Sequence, residues 1–125
     1  MRDYRPGDKI GTATVAGGPG LDSPPIADDA SERDFQREVV RFARRNGWSD
    51  VYHTYSSKRC SPGFPDLVFG REAKSPHVIV AELKSENGVL TSDQERWLAF
   101  FRLAGVPTFV WTPKQWREIE ETLRC

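Results

Sequence analysis

Residues 77–84 read HVIVAELK, and this segment decides the fold. Its dense run of β-branched and aliphatic side chains is typical of a strand that is buried on both faces of a sheet. Glu82 and Lys84 interrupt the run, and burying either charge without a partner or a bound ion would be costly. The segment therefore predicts a central strand that carries a functional site.

Helices and short strands are predicted on both sides of this segment. Ser31 begins a capping-box-like sequence, and apolar residues at helical spacing then predict a helix over 31–46. A second helix lies between Thr91 and Gly105, and a last helix follows Thr112. Further strands are predicted over 51–55, 65–70 and 106–111. The order αβββαβα predicts a small α/β domain with a mixed sheet flanked by helices.

Length and composition allow one modest domain. The chain has 125 residues, 38% of them hydrophobic, and it contains no apolar run near the ~20 residues that cross a bilayer. With no signal-like N-terminus, we expect a soluble intracellular protein. Residues 1–30 hold five of the ten glycines and four of the nine prolines, which predicts a mobile tail before a folded domain over 31–125. Cys60 and Cys125 form neither a disulfide framework nor a zinc motif.

Asp66, Glu82 and Lys84 can meet on one face of the predicted sheet. Side chains alternate along a strand, so Glu82 and Lys84 point the same way, and Asp66 joins them if its strand is the hairpin neighbour. Two close carboxylates repel each other unless a cation lies between them, and Mg²⁺ suits such oxygen ligands. A metal placed there beside a lysine indicates phosphodiester hydrolysis.

A second interpretation of these residues is a surface hairpin with an ordinary Glu82–Lys84 pair. Spacing alone favours this alternative, whereas the apolar neighbours of both charges favour a functional site. Other chemistry has little support, because the sequence has no glycine-rich phosphate loop, no GxSxG and no Cys/His pair with nucleophile spacing. We therefore expect no nucleotide cofactor.

The segments Gly63-Phe64-Pro65-Asp66 and Glu82-Leu83-Lys84 resemble the signature of PD-(D/E)XK nucleases. The ordered set, with Gln94 in the helix that follows, more closely resembles the stand-alone virus-type replication-repair nuclease (VRR-NUC) domains over about 31–112. The resemblance implies a restriction-endonuclease-like fold and Mg²⁺ or Mn²⁺ as cofactor. It implies catalytic roles for Asp66, Glu82, Lys84 and Gln94, and metal binding at Glu32, Asp66, Glu82 and Leu83.

By the same resemblance, the protein is a homodimeric endonuclease that cuts branched DNA, including Holliday junctions. It would act in replication, repair or recombination in the cytoplasm of a bacterial or phage-infected cell. A two-fold dimer would match the two symmetry-related strands of a junction. The interface candidates are the last helix and the cluster of Trp97, Phe100 and Phe101. Three alternatives stay open: a monomeric flap or duplex nickase, a non-catalytic DNA-binding module and a purely structural domain.

DNA contacts are predicted on helix one and in the loop before GFPD. Arg33, Arg37, Arg41 and Arg44 form a basic stripe that could follow phosphates, or a solvated face paired with Asp34 and Glu38. The full set of predicted contacts is Lys58, Arg59, His53, Tyr55, Arg37 and Arg41. His53 has a structural role as its alternative. For Glu32 the alternative to metal binding is a favourable position at a helix N-terminus.

Overall fold

The computed structural model describes residues 25–55 and 61–124. The described helices are α1 (Glu32–Arg45), α2 (Ser92–Leu103) and α3 (Trp116–Leu123). The described strands are β1 (Asp50–His53), β2 (Leu67–Gly70), β3 (Val78–Leu83) and β4 (Thr108–Trp111). This order confirms the predicted αβββαβα arrangement. Within the described residues, no helix combines the length and apolar character that a membrane crossing requires.

The four strands form one mixed sheet in the order β1-β2-β3-β4. The first three strands are antiparallel neighbours, and β4 runs parallel to β3. Parallel neighbours need a crossover connection, and α2 supplies it. Every residue from Ile79 to Leu83 is buried, so β3 is the central strand that its composition predicts.

The main core lies between one face of the sheet and the helices α1 and α3. Strand alternation sends Leu67 and Phe69 of β2 and Trp111 of β4 to this face. The helices contribute Phe35, Val39, Phe42 and Ala43 from α1 and Trp116, Ile119 and Leu123 from α3. The opposite face carries Val80 and Glu82, and α2 covers it through one buried residue, Leu98. The Glu82 carboxylate of β3 therefore lies on the face of the sheet that α2 covers, opposite the main core.

Side-chain caps set the starts of the first two helices, as the sequence predicts. The Ser31 hydroxyl accepts a hydrogen bond from the Asp34 backbone at 3.1 Å. At α2 the capping box is reciprocal: the Thr91 hydroxyl accepts from the Gln94 backbone, and the Gln94 side-chain oxygen accepts from the Thr91 backbone. Such caps contribute about 1 kcal/mol each and fix where the helix begins.

Element boundaries differ from the prediction where a proline or a cap intervenes. Strand β2 begins at Leu67, because Pro65 has no N–H to donate, so Asp66 lies just ahead of the strand. The segment after Thr112 starts as a 3₁₀ turn over Pro113–Gln115, and α3 begins at Trp116. The predicted tail lies largely outside the described residues, although Ile26 packs against the core.

Candidate active site

The antiparallel pairing of β2 and β3 brings Asp66 next to Glu82. Leu67 pairs with Ala81, so the residues just outside this pair, Asp66 and Glu82, face each other. A carboxylate oxygen of Asp66 accepts a hydrogen bond of 2.8 Å from the Leu83 backbone. The structure thus brings the two predicted carboxylates together.

Lys84 completes the predicted trio at the end of β3. Its Nζ lies 3.7 Å from Glu82 Oε2, and the two side chains are 12% and 2% exposed. Gly88 makes room for the lysine stem, since a Cβ at that position would lie 3.1 Å from Lys84 Cδ. A pair this deeply buried is not the surface hairpin pair of the alternative interpretation.

Burial and nearby negative charge keep a proton on the carboxyl pair. Burial, followed by the negative charge of Asp66, raises the pKa of Glu82 to about 8, although Lys84 opposes the change. The pKa of Asp66 is also raised, chiefly by burial, while its hydrogen bond from Leu83 lowers it. Such displaced values are common where acidic groups take part in function. Near neutral pH the pair therefore holds a proton in a place that a cation could take.

One oxygen of Glu82 is available to a ligand. Oε2 accepts from the Gln94 side chain at 2.9 Å and faces Lys84, whereas Oε1 is buried without a hydrogen-bond partner among the described residues. A buried acceptor of this kind costs free energy unless something binds it. Two adjacent carboxylates and one unsatisfied oxygen suit a hard divalent cation that keeps several water ligands.

Other predicted metal positions contribute differently. The Glu32 carboxylate accepts from the Ser85 backbone at 3.3 Å, which places it near the end of β3. Among residues 25–55 and 61–124, no group of three or more His, Cys, Asp or Glu side chains is arranged to hold a metal. Leu83 has its side chain in the core, so its main chain alone can face the site. Metal binding by Glu32 and Leu83 stays a prediction.

Gln94 connects the start of α2 to the carboxyl pair. Its side-chain oxygen accepts from Thr91, and its side-chain nitrogen donates to Glu82. Both groups of the amide are therefore committed, and the helix cap aims the amide at the site. This arrangement gives a physical basis for the glutamine position that the family resemblance singles out.

Two residues to which the sequence analysis gave no role of their own hold the loop before β2. Gly63 has a φ of 82°, and a Cβ there would lie 2.4 Å from the Asp93 backbone, so the loop rests directly on the first turn of α2. Thr54 donates through its backbone to the Asp66 carbonyl and through its hydroxyl to the Pro65 carbonyl. These contacts fix the main chain that carries Asp66. The glycine of GFPD was a possible signal for the first contact, and Thr54 had none.

Four of the six predicted DNA contacts line one groove between α1 and β1. They are Arg37, Arg41, His53 and Tyr55. His53 Nε2 lies 2.6 Å from the Gln36 side-chain nitrogen, and its ring stands 4.5 Å from that of Tyr55. Asp34 and Glu38 pair with the two arginines at 3.5 and 3.7 Å, as the solvated-face alternative expects. Lys58 and Arg59 lie outside the described residues.

A mixed four-stranded sheet flanked by helices, with an acidic pair and a lysine on adjacent strands, defines the restriction-endonuclease-like class of folds. This class is the one predicted. The model of the VRR-NUC domain family matches residues 24–115. The chain is similar to a solved structure of a VRR-NUC domain protein, with a TM-score of 0.54 and 19% sequence identity. The match covers 73% of this chain and 91% of the other, and it supports the fold. No curated protein matches the chain. The chain belongs to the VRR-NUC family of nuclease domains, which confirms the resemblance.

Proposed function

We propose that this protein is a metal-dependent endonuclease that hydrolyses phosphodiester bonds in branched DNA. The observation that carries the proposal is the buried Glu82 carboxylate beside Asp66 and Lys84, one oxygen of which has no hydrogen-bond partner in the described part of the chain. Membership of a nuclease family supports the same reaction. A buried acidic pair of this kind costs stability, and a catalytic role accounts for its presence.

Asp66 and Glu82 would hold the metal, with Glu32 and the Leu83 main chain as further contacts. A bound Mg²⁺ or Mn²⁺ supplies charge that stabilises a phosphate under attack and makes water a better nucleophile at neutral pH. Burial excludes bulk water from Glu82, so its charge acts strongly on whatever binds beside it.

Lys84 would orient the attacking water and stabilise the negative charge that develops on the phosphate. Its ammonium group is held by Glu82, and its stem packs against Gly88. Gln94 would act as a positioning residue, since it donates to one oxygen of Glu82, while no described residue hydrogen-bonds the other.

We also propose that the protein is a homodimer that uses the outer face of α2. This helix buries Leu98 alone, while Phe100 is 50% and Leu103 is 85% exposed. Trp97 and Phe101 lie beside them and pack edge-to-face against Phe64. The last helix is less suited to an interface, because its apolar side chains are already buried in the core. A contiguous apolar patch on a small domain is typical of an association surface.

Cleavage of labelled four-way junction, flap and plain duplex DNA, in EDTA, Mg²⁺ or Mn²⁺, tests the function. We expect metal-dependent cutting of branched DNA that Lys84→Ala and Asp66→Asn abolish. Lys74→Ala, at the other end of the β2–β3 hairpin, is the matched control and should cut like the wild type. Symmetric junction cuts would support the dimer, whereas cutting of flap or duplex alone would support the monomeric alternative. Binding without cutting of any substrate would leave a DNA-binding module.

A further inference from the structure

A basic groove runs beside the candidate active site, between α1 and the edge strand β1. Its volume is about 740 Å³, and four exposed arginines line it: Arg37, Arg41, Arg44 and Arg45. Asp34 pairs with Arg37 and Glu38 pairs with Arg41. Within residues 25–55 and 61–124, neither Arg44 nor Arg45 makes an ion pair. The groove therefore has a net positive charge along its length and suits a polyanion.

Aromatic side chains stand along the strand side of the same groove. Tyr55 is 70% exposed, and its ring stands 4.5 Å from that of His53. A tyrosine on a small domain usually buries most of its ring, so an exposed ring beside a row of arginines requires an explanation. Aromatic rings beside a basic track are the features with which proteins bind unpaired nucleic acid, because unpaired bases offer a face for stacking.

One end of the groove lies at the same end of the sheet as Asp66. Thr54, between the two aromatic residues at the end of β1, donates to the Asp66 carbonyl. On the helix side, α1 starts at Glu32, which contacts Ser85, and passes through the arginines to its end. The thirteen residues from Glu32 to Arg44 span roughly 18 Å of helix. That length matches about five stacked nucleotides at 3.4 Å each.

We propose that this groove binds a single-stranded DNA segment of a few nucleotides, which leaves the duplex next to Asp66 and Glu82. The inference rests on the proposed function and narrows its substrate to branched DNA with an unpaired strand. A duplex would present its phosphates to the arginines but hide its base faces from Tyr55. The arginines would follow the phosphates, and Tyr55 would stack on a base.

Fluorescence anisotropy in EDTA, where no cleavage occurs, tests binding separately from catalysis. The probes are a short labelled oligothymidylate and a blunt hairpin duplex of equal charge. We expect the single strand to bind at least about five-fold more tightly, which is the contribution of one stacked base. Tyr55→Ala should lose roughly five- to 150-fold in affinity for the single strand, whereas Tyr55→Phe keeps the ring and should bind like the wild type.

Charge at the far end of the groove is tested by salt dependence. Arg44→Gln combined with Arg45→Gln should lower the slope of log affinity against log salt by about 1.4, or 0.7 per lost phosphate contact. Arg117→Gln, an exposed arginine on α3, is the matched control and should leave the slope unchanged. Equal affinity for both probes, or full binding by Tyr55→Ala, would overturn the inference while leaving cleavage intact. Groove binding by a chain that cuts nothing would instead overturn the proposed function alone.

Discussion

Replacing Glu82 by glutamine should stabilise the protein in EDTA, and the gain should grow with pH. The pKa of Glu82 is about 8 in the folded protein, against 4.5 in an unfolded chain. Between these values the unfolded chain releases a proton that the folded protein keeps, so rising pH favours unfolding. The stability held below pH 4.5 is therefore lost progressively as the pH rises through about 8. Glutamine keeps the shape of the side chain and can accept the hydrogen bond from Gln94, but it has no charge to bury.

The magnitude follows from the same interval. At about 1.4 kcal/mol per pH unit, the range from 4.5 to about 8 corresponds to roughly 5 kcal/mol above pH 8 and to less than 1 kcal/mol at pH 5. This is a large part of the stability of a small domain. Adding Mn²⁺ at pH 8 should stabilise the wild type and have much less effect on Glu82→Gln, because the ion needs the ionised carboxylate.

Urea unfolding followed by tryptophan fluorescence at pH 5, 7 and 9 measures the effect. The quantity to compare is the difference in free energy of unfolding between Glu82→Gln and the wild type, in which other titrating groups largely cancel. Glu72→Gln, an exposed carboxylate in the β2–β3 loop, is the matched control and should show no such difference. A difference that stays constant from pH 5 to pH 9, or a variant that is less stable throughout, would refute the reasoning.

Three further substitutions separate stability, catalysis and assembly. Gln94→Ala should lower the free energy of unfolding by about 1 kcal/mol and also slow cleavage. Thr91→Ala should lower the free energy of unfolding by a similar amount but retain cleavage. Equal cleavage by the two variants would show that Gln94 has no role in the site. Gly63→Ala should lower the free energy of unfolding by about 1 to 3 kcal/mol because of its left-handed backbone, and by a similar amount because of its clash with α2. Gly105→Ala should lose only the backbone contribution, and thermal melts of both variants measure the difference. Similar melting temperatures for the two would contradict the close contact. Leu103→Glu should shift the mass in light scattering from dimer to monomer, and an unchanged dimer would place the interface elsewhere.

Much of the site could be predicted because it depends on local rules. Strand alternation and a hairpin place Asp66, Glu82 and Lys84 together, and the spacing of both strands is visible in the sequence. The caps at Ser31 and Thr91 are likewise short-range patterns that the structure reproduces. Burial of β3 is equally visible in its composition.

Contacts between distant elements were not predictable in the same way. The contact between the Gly63 loop and α2 depends on how the helix docks across the sheet. The sequence of neither segment predicts this contact. The arginine stripe of α1 follows from helical spacing, but its position beside His53 and Tyr55 does not. After Thr112, the Gln115 side chain accepts a hydrogen bond from the Thr112 backbone and favours a 3₁₀ turn. The same cap also suits the start of an α-helix, so the sequence did not distinguish the two.

Because the Gln94 side chain is hydrogen-bonded at both ends, the position of the Glu82 carboxylate depends on how α2 docks. This single amide holds the first turn of α2 and the Glu82 carboxylate, yet α2 is attached to the sheet through little more than Leu98. Any contact that restrains the outer face of α2 thus also restrains the acidic pair. The metal site and the dimer proposed above would therefore be coupled: a contact on this face that favours binding of the ion would itself be favoured by the ion, by the same factor. Metal affinity could then be followed through the monomer–dimer equilibrium, and the reverse.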